Sequence, residues 1–553
     1  MTVSKPSESF AVEAYQAAWD GFDLEALKAL FDGDFDAGIN ACIECCDRYA
    51  VGDKVALDWT GADGRRELFT FAQLKAASAQ FANYLTDLGI GPGDVVAGLL
   101  PRTPELVVTI LGTWRAGAVY QPLFTAFGGK AIEHRLGISR AKLVVTDRIN
   151  RPKLDEVTVE QPPRILRVAP LGEPANGYAD PIFHRELSER SDRFEPVLRN
   201  ADDLFLLMST SGTTGLPKGV PVPLFALAAF RAYMKDAVGL NPDDTFWNIA
   251  DPGWAYGLYY GITGPLSMGC TTLLLDAPFT VESAYNFIRE RGVTNLAGAP
   301  TAYRLLMAAG PEAAAAVKGH LRVVSSAGEP LNAEVFRWFR EHLDAPIYDH
   351  YGQTETGMVV NNHHRLEHSV RGGSAGFAMP GYRVAVLDEQ DQELPAGKPG
   401  ILAVDIAKSP ILWFTGYWQK DTPALRNGYY LTGDTVMLEQ DGSISFVGRS
   451  DDIITSSGYR IGPFDVESAL IEHPAVMEAA VIGKPDPERT EIVKAFIVLN
   501  KGFDASDALS EELAQYVKKR MSAHAYPREI TFMDSLPKTP SGKVQRFMLR
   551  EQA

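Results

Sequence analysis

Cysteine and histidine are scarce in this chain, and long apolar runs are missing from it. Its 553 residues include 4 cysteines and 10 histidines, and so few thiols in so long a chain do not make a disulfide framework. No apolar run approaches the roughly 18 residues a spanning helix requires. The opening MTVSKPSESF has no apolar core and no cleavage-like site, so neither a membrane span nor a signal peptide is expected. Basic charge is short as well: 53 Lys and Arg stand against 70 Asp and Glu, a net charge of −17. That argues against a general nucleic-acid binder and against binding to anionic membranes. These absences make a cytoplasmic compartment the expectation. What remains, 46% hydrophobic and 22% charged residues, is ordinary for a globular chain, and the length implies more than one domain or one large domain with an appendage.

The scarce residues are also clustered. Cys42, Cys45 and Cys46 in NACIECCDRY sit at i, i+3, i+4, which suits packing on one helix face, and no further ligands stand at zinc spacing. His363, His364 and His368 in NNHHRLEHS have a spacing a metal would accept. No carboxylate or cysteine is arranged with them, so a solvated loop is the expectation.

From about residue 74 helical and strand-like segments alternate. LKAASAQFANYLTDLG has helical spacing and ends at a glycine, DVVAGLL reads as a buried strand, TPELVVTILGTWRAG opens with a Thr cap, and KLVVTD is again a strand. Further on TTLLLD, TNLAGAP, LRVVSSAGEP and APIYDHYG alternate with VESAYNFIRERG and NAEVFRWFREHL. Such alternation predicts parallel sheets covered by helices on both faces, with ligands at the carboxyl ends of strands. Residues 150–203, rich in Pro, Arg, Asp and Glu, read as surface-lying connection. After GSISFVGRSDD the character changes to a compact α+β unit, which puts a boundary at Asp451: domains 1–450 and 451–553.

MSTSGTTGLPKGV, residues 208–220, is too polar and flexible for a core strand. It fails the Walker test, because the second glycine of that pattern falls on Pro217 and Gly219 follows Lys218. The physics of a phosphate cradle survives. Gly212, Gly215 and Gly219 allow close backbone approach, Ser209, Thr210, Ser211, Thr213 and Thr214 supply hydroxyls, and Lys218 supplies a cation. Downstream stand GEP (328–330), DHYGQTETG (349–357), YYLTGD (429–434), GRSDDIITSSGYRIGP (448–463) and PKTPSGKVQR (537–546).

In this order and spacing these stretches resemble the adenylate-forming superfamily of acyl-CoA synthetases, adenylation domains and luciferases, from about residue 40 to the end. The resemblance implies an α/β fold: a large N-terminal domain of parallel-type sheets between helices with a β-subdomain, and a small mobile α+β C-terminal lid. It implies an ATP-dependent, AMP-forming acyl-CoA ligase that uses ATP, Mg2+ and coenzyme A. A carboxylic acid and ATP give an acyl-adenylate and pyrophosphate, then a thiol attacks the adenylate and AMP leaves.

By the same resemblance, the loop residues Ser209 to Gly215 and Lys218 hold the triphosphate. Thr354 bonds the α-phosphate, and Glu355 holds Mg2+, since a carboxylate beside a triphosphate makes sense with a divalent ion between. Tyr351 offers a face to adenine with Gly328, Glu329 and Pro330 opposite, Asp349 accepts from its amino group, and Gly352 and Gln353 complete that strand. Asp434 accepts from the ribose hydroxyls and Arg449 is a second ribose contact. Arg460 reaches the phosphate. Lys543 is the catalytic lysine, touching acyl carboxylate and α-phosphate, an electrostatic contribution of ~3 kcal/mol. Asp451 is the hinge, and Gly458 lets the thiol chain pass in the CoA tunnel.

The acid is read from Gly352, which stands where acetate-using relatives place a tryptophan that floors the acyl pocket. Losing an indole leaves room for several methylenes at about 0.8 kcal/mol each. Trp254, Tyr256 and Tyr259 stand in a stretch that resembles the family segment bordering the acyl site, where they are either apolar walls or part of an ordinary helix packed in the core. A medium-length or bulky hydrophobic acid, ring-containing acids included, is therefore expected. The alternatives are a short-chain CoA synthetase, a stand-alone enzyme that loads a carrier protein, and a catalytically dead nucleotide-binding regulator. Departures from the family pattern are Met208, VPVP after Gly219, Thr455 and Thr490.

Overall fold

The computed structural model describes residues 12–169, 178–210, 217–450, 452–456, 459–486, 489–521, 525–539 and 543–553. Ser211, Gly212, Thr213, Thr214, Gly215, Asp451 and Gly458 lie outside the described residues.

Three large sheets organise the described residues. A six-stranded sheet runs Arg164–Val168, Leu143–Asp147, Val95–Leu99, Val119–Pro122, Leu204–Ser209, Gly219–Pro223 in spatial order. All its neighbours are parallel except the last pair, an antiparallel hairpin that spans the Gly-rich loop. Every residue of the VVAGL strand at Val95–Leu99 is buried, as an apolar run covered on both faces must be.

The second parallel array orders Val55–Gly61, Thr272–Asp276, Phe246–Asn248, Asn295–Gly298, Val323–Ala327 and Ile347–Gln353. It does not stop there. Ile347–Gln353 turns into the antiparallel strand Gly357–Asn361, through which the sheet continues into strands Ser374–Ala378, Ile444–Arg449, Tyr429–Leu438, Pro399–Asp405 and Val384–Leu387. Parallel sheet and β-region are therefore one continuous surface, and the turn at 354–356 sits at their junction. The third sheet centres on the long hairpin Val476–Asp486 and Thr490–Leu499, packed by helices Pro463–Ile471 and Asp507–Arg520 around its own apolar core.

Helix Phe71–Asp87 begins with a full capping box in which Thr70 and Gln73 satisfy each other's backbone N–H groups, two of the donors a helix start leaves open. Helix Pro104–Arg115 starts after Thr103 as expected, but the Thr103 side chain makes no capping bond.

Two expectations are corrected. Residues 150–203 are not all surface connection, because Arg164–Val168 is an edge strand paired to Leu143–Asp147 and Phe183–Ser188 is a helix. The RILRV strand alternates poorly because Arg167 is itself buried, 1% exposed. The histidines are not solvated either. The His364 ring stacks on Tyr348 with centroids 4.2 Å apart, and His363 stacks on Tyr15 at 5.5 Å. Burial pushes both imidazoles well below their usual range, so they are neutral packing groups. The three clustered cysteines are buried and free, within or capping helix Ala41–Cys45.

Candidate active site

The site forms where strand ends of the second array meet the β-region, with the Gly-rich hairpin facing them. Strand Val323–Ala327 ends in Gly328, Glu329 and Pro330. Gly328 has φ +101°, a conformation that favours glycine. Glu329 Oε2 accepts from Arg304 at 2.9 Å and from Thr301 at 3.2 Å. On the next strand Asp349 is buried. Its Oδ2 accepts the Leu331 N–H at 3.0 Å, while Oδ1 has no partner. Burial pushes this carboxyl up to about 8, because a charged group loses water without gaining a counter-ion.

Tyr351, Gln353 and Asp434 form one hydrogen-bonded group. Tyr351 OH donates to Asp434 Oδ2 at 2.5 Å, and Gln353 Nε2 donates to the same oxygen at 2.9 Å. Tyr430 OH donates to Gln353 Oε1 at 2.8 Å. Arg449, registered directly opposite Asp434 in the antiparallel pair, lies 3.7 Å from Oδ1. Burial raises the Asp434 carboxyl, opposed by the Tyr351 hydrogen bond and by the charges of Arg449 and Lys543.

Thr354 and Glu355 occupy the turn after this strand, and Tyr259 OH donates to the Thr354 carbonyl at 3.1 Å. Glu355 is buried, 8% exposed. Tyr417 OH donates to its Oε1 at 2.8 Å, and the Lys218 ammonium stands 4.4 Å from the centre of the Tyr417 ring. Burial raises the Glu355 carboxyl, against the Tyr417 hydrogen bond and the charges of Lys543 and Lys218. Lys543 is exposed in a turn that Thr539 closes: its N–H donates to Thr539 Oγ1 at 3.1 Å, and its carbonyl accepts from Thr539 N at 2.7 Å. That turn brings its ammonium within electrostatic reach of both Glu355 and Asp434.

The base of the Gly-rich loop is tied by Thr210, whose N–H donates to the Lys218 carbonyl at 3.0 Å and whose Oγ1 accepts the Lys218 N–H at 3.1 Å. Ser209 ends its strand; Met208 beside it is buried, and VPVP forms the returning strand. Arg460 lies on strand Tyr459–Ile461.

The expected acyl walls separate. Trp254 is half-buried against Phe124 and Phe127, with centroids at 5.6 and 5.4 Å. Tyr259 is core, stacked on Phe230 at 4.4 Å. Tyr256 is half-buried and ends a relay. His350 Nε2 faces the Asn362 carbonyl at 2.9 Å, Tyr233 OH faces His350 Nδ1 at 2.7 Å, and Tyr256 OH lies 3.4 Å from Tyr233 OH. A carbonyl only accepts, so neutral His350 carries its proton on Nε2. Tyr233 then donates to Nδ1, and Tyr256 donates to Tyr233.

Gly352 corrects the pocket argument. A Cβ built there would stand 2.1 Å from the Gly357 carbonyl oxygen and 2.7 Å from the Met358 Cα. The chain's own hairpin fills that direction, so the missing indole returns no volume to an acyl cavity.

Tyr417, Tyr430 and Gln353 as a bridging amide were invisible to motif reading. The signal was the GYW of FTGYWQKD and the second Tyr of YYLTGD, which matter through distant partners.

A family model described as AMP-binding enzyme matches residues 46–418, and one described as AMP-binding enzyme C-terminal domain matches 465–543. The chain is 39% identical over 547 residues to an acetyl-coenzyme A synthetase of Bacillus subtilis, covering 97% of this chain and 94% of the relative. It is 36% identical over 547 residues to the mitochondrial acyl-coenzyme A synthetase ACSM3 of Mus musculus, covering 96% and 93%. The crystal structure of an acyl-CoA synthetase from Brucella canis shares 63% identity with a TM-score of 0.81, covering 98% of this chain and 99% of that one.

Proposed function

We infer the division of labour at this site from the premise that the chain belongs to the AMP-binding enzyme family, as an AMP-forming acyl-CoA synthetase. The enzyme uses ATP, Mg2+ and coenzyme A. No helix of the described residues is long and apolar enough to cross a membrane.

The observation that carries the assignment is the convergence of Lys543 on the buried carboxylates Glu355 and Asp434, with Lys218 at the Tyr417 ring beside Glu355 and Arg449 beside Asp434. Two buried acids, each bonded by a phenol and faced by cations, form a site for a polyanion with a sugar attached. Asp434, fixed by Tyr351 and Gln353 on one oxygen, accepts from the ribose with the other. Tyr351 stacks on adenine, Gly328 to Pro330 form the opposite wall, and the unpartnered Oδ1 of Asp349 takes the adenine amino group. Lys218, Ser209 and Thr210 with residues 211–215 hold the phosphates, and Thr354 and Arg460 bind the α-phosphate. Lys543 neutralises the charge that builds on the acyl carboxylate and α-phosphate as they join.

Magnesium takes hard oxygen ligands, commonly one or two carboxylates with phosphates and waters. Glu355 fits that role. Among the described residues no three His, Cys, Asp or Glu are grouped to hold a metal. When bound, the ion offsets phosphate charge.

The lid, 451–553 with its hinge at Asp451, carries Lys543 away after adenylation and brings the segment at Gly458 to the thiol. Lys543→Ala is expected to abolish ATP–pyrophosphate exchange and to spare thioester formation from supplied acyl-adenylate. Loss of both half-reactions alike, or of neither, overturns the role of Lys543.

The acid has an apolar body larger than acetate. Support for this lies in the aromatic group of Trp254, Phe124 and Phe127, rather than in Gly352. The similarity to an acetyl-coenzyme A synthetase favours acetate as the second reading. Exchange rates with acetate, octanoate and benzoate decide between them, and preference for acetate overturns the first.

A further inference from the structure

Tyr417 belongs to none of the motifs that mark this site, yet it touches two of the charged groups in it. Its hydroxyl donates to Glu355 Oε1 at 2.8 Å, and the face of its ring meets the Lys218 ammonium at 4.4 Å. Among the described residues no ion pair joins Lys218 to Glu355. We propose that Tyr417 is a positioning residue that keeps Lys218 and Glu355 apart, so that the lysine stays available to phosphate and the carboxylate to the divalent cation.

A buried carboxylate and an ammonium this close attract strongly, and direct contact would consume both. A phenol separates them while satisfying each. Its O–H stabilises the carboxylate without cancelling the charge, and its π face holds the ammonium. Tying one oxygen also fixes the rotation of the carboxylate and leaves the second oxygen for a cation.

Tyr417 itself is held independently of both charges. Its N–H donates to Thr422 Oγ1 at 2.8 Å, its ring packs on Phe414 at 5.3 Å, and the Trp418 N–H donates to the Gly219 carbonyl at 2.8 Å. The last bond fastens the spacer to the strand that leaves the Gly-rich loop.

This inference rests on the reading of Glu355 as the Mg2+ carboxylate, and the test separates the two. Calorimetric titration with α,β-methylene-ATP, with Mg2+ and with EDTA, reads binding and not turnover. Tyr417→Phe is expected to lose about tenfold of the Mg2+-dependent tightening while metal-free binding stays within about twofold of wild type. No loss, or equal loss with and without Mg2+, overturns the proposal. Tyr417→Leu removes the spacer, and metal-free binding should weaken about tenfold as Lys218 is drawn to Glu355. Unchanged metal-free binding there overturns the spacer role.

In the presence of Mg2+, Glu355→Gln combined with Tyr417→Phe should bind no more weakly than Glu355→Gln alone, because both changes break one interaction. Additive losses overturn the proposal. A full Mg2+ effect in Glu355→Gln overturns the metal reading and the proposal with it. A lost effect there beside an intact one in Tyr417→Phe overturns the proposal alone.

Discussion

Gly352 and Asp349 sit on one strand and fail in opposite directions when altered. The Cβ position at Gly352 lies 2.1 Å from a backbone oxygen, and backbone cannot rotate aside as a side chain does. Gly352→Ala is therefore expected to destabilise the fold by about 1–3 kcal/mol, the usual cost of overpacking, seen as a lower melting temperature. A variant that melts like wild type but changes chain-length preference would show that the direction is open after all. Asp349 carries a stability consequence that depends on pH. Its folded carboxyl is pushed to about 8 from an ordinary value of 3.8, so folding favours the protonated form. That advantage is complete below about pH 4 and disappears as pH rises to about 8, since the unfolded chain ionises first. Asp349→Asn removes the titration. Its melting temperature should gain on wild type steadily from pH 5 to pH 8, and a gap that stays constant over that range would refute the assignment.

At the scale of elements, the Gly-rich loop is a hairpin tip whose two strands are clamped from outside. The Trp418 N–H bonds the Gly219 carbonyl, and His134 pairs with the Pro217 carbonyl at 2.9 Å. A Cβ on Gly219 would come within 2.9 Å of the Trp418 Cβ. Gly219→Ala must push the 417–418 segment away from the hairpin, and with it the tyrosine beside Lys218. The expected result is a KM for ATP raised roughly tenfold, near the loss of one charge-assisted hydrogen bond, with the KM for the acid unchanged. Steady-state kinetics with each substrate varied in turn checks it, and equal changes in both would point to general damage. Little of this was legible in the motif. Glycines and hydroxyls at 209–215 advertise a cradle, but the clamp comes from Trp418 and from His134, the latter 83 positions from Pro217 along the chain.

For the whole molecule, polar contacts hold the proposed lid in the orientation that presents Lys543. Asn332 Nδ2 donates to Ser468 Oγ at 2.9 Å, and Arg337 reaches Glu472 at 3.6 Å. The same Asn332 accepts from Arg304, which also binds Glu329 beside the nucleotide site. These contacts join the 451–553 segment to the wall on which adenine is placed. The Phe464 ring also meets that of Phe446 at 6.1 Å, while Arg337 is exposed, so its ion pair is worth little. Such contacts suit the swing proposed for this domain. Ser468→Ala with Glu472→Gln should slow adenylation about three- to fivefold, as expected for the loss of about 1 kcal/mol of docking. Rapid-quench measurement of each half-reaction should leave thioester formation unslowed, and slowing of both would refute a role specific to adenylation.

Local chemistry was decided by the sequence alone. The alternation of strands and helices, the buried VVAGL-type runs, and the succession of GEP, DHYGQTETG, YYLTGD and PKTPSGK each depend on residues adjacent in the chain. They were enough for the fold class, the family and the candidate nucleotide ligands. Tertiary structure alone decided which way each group faces and what it meets. Gly352 looked like vacated space until the Gly357 carbonyl was found to fill it, and the histidines looked solvated until Tyr348 and Tyr15 covered them. The GYW around Tyr417 had no assignable role until Glu355 and Lys218 closed on it. The physical reason is common to all three: packing and electrostatics act through distance in space, and a linear pattern records only distance along the chain.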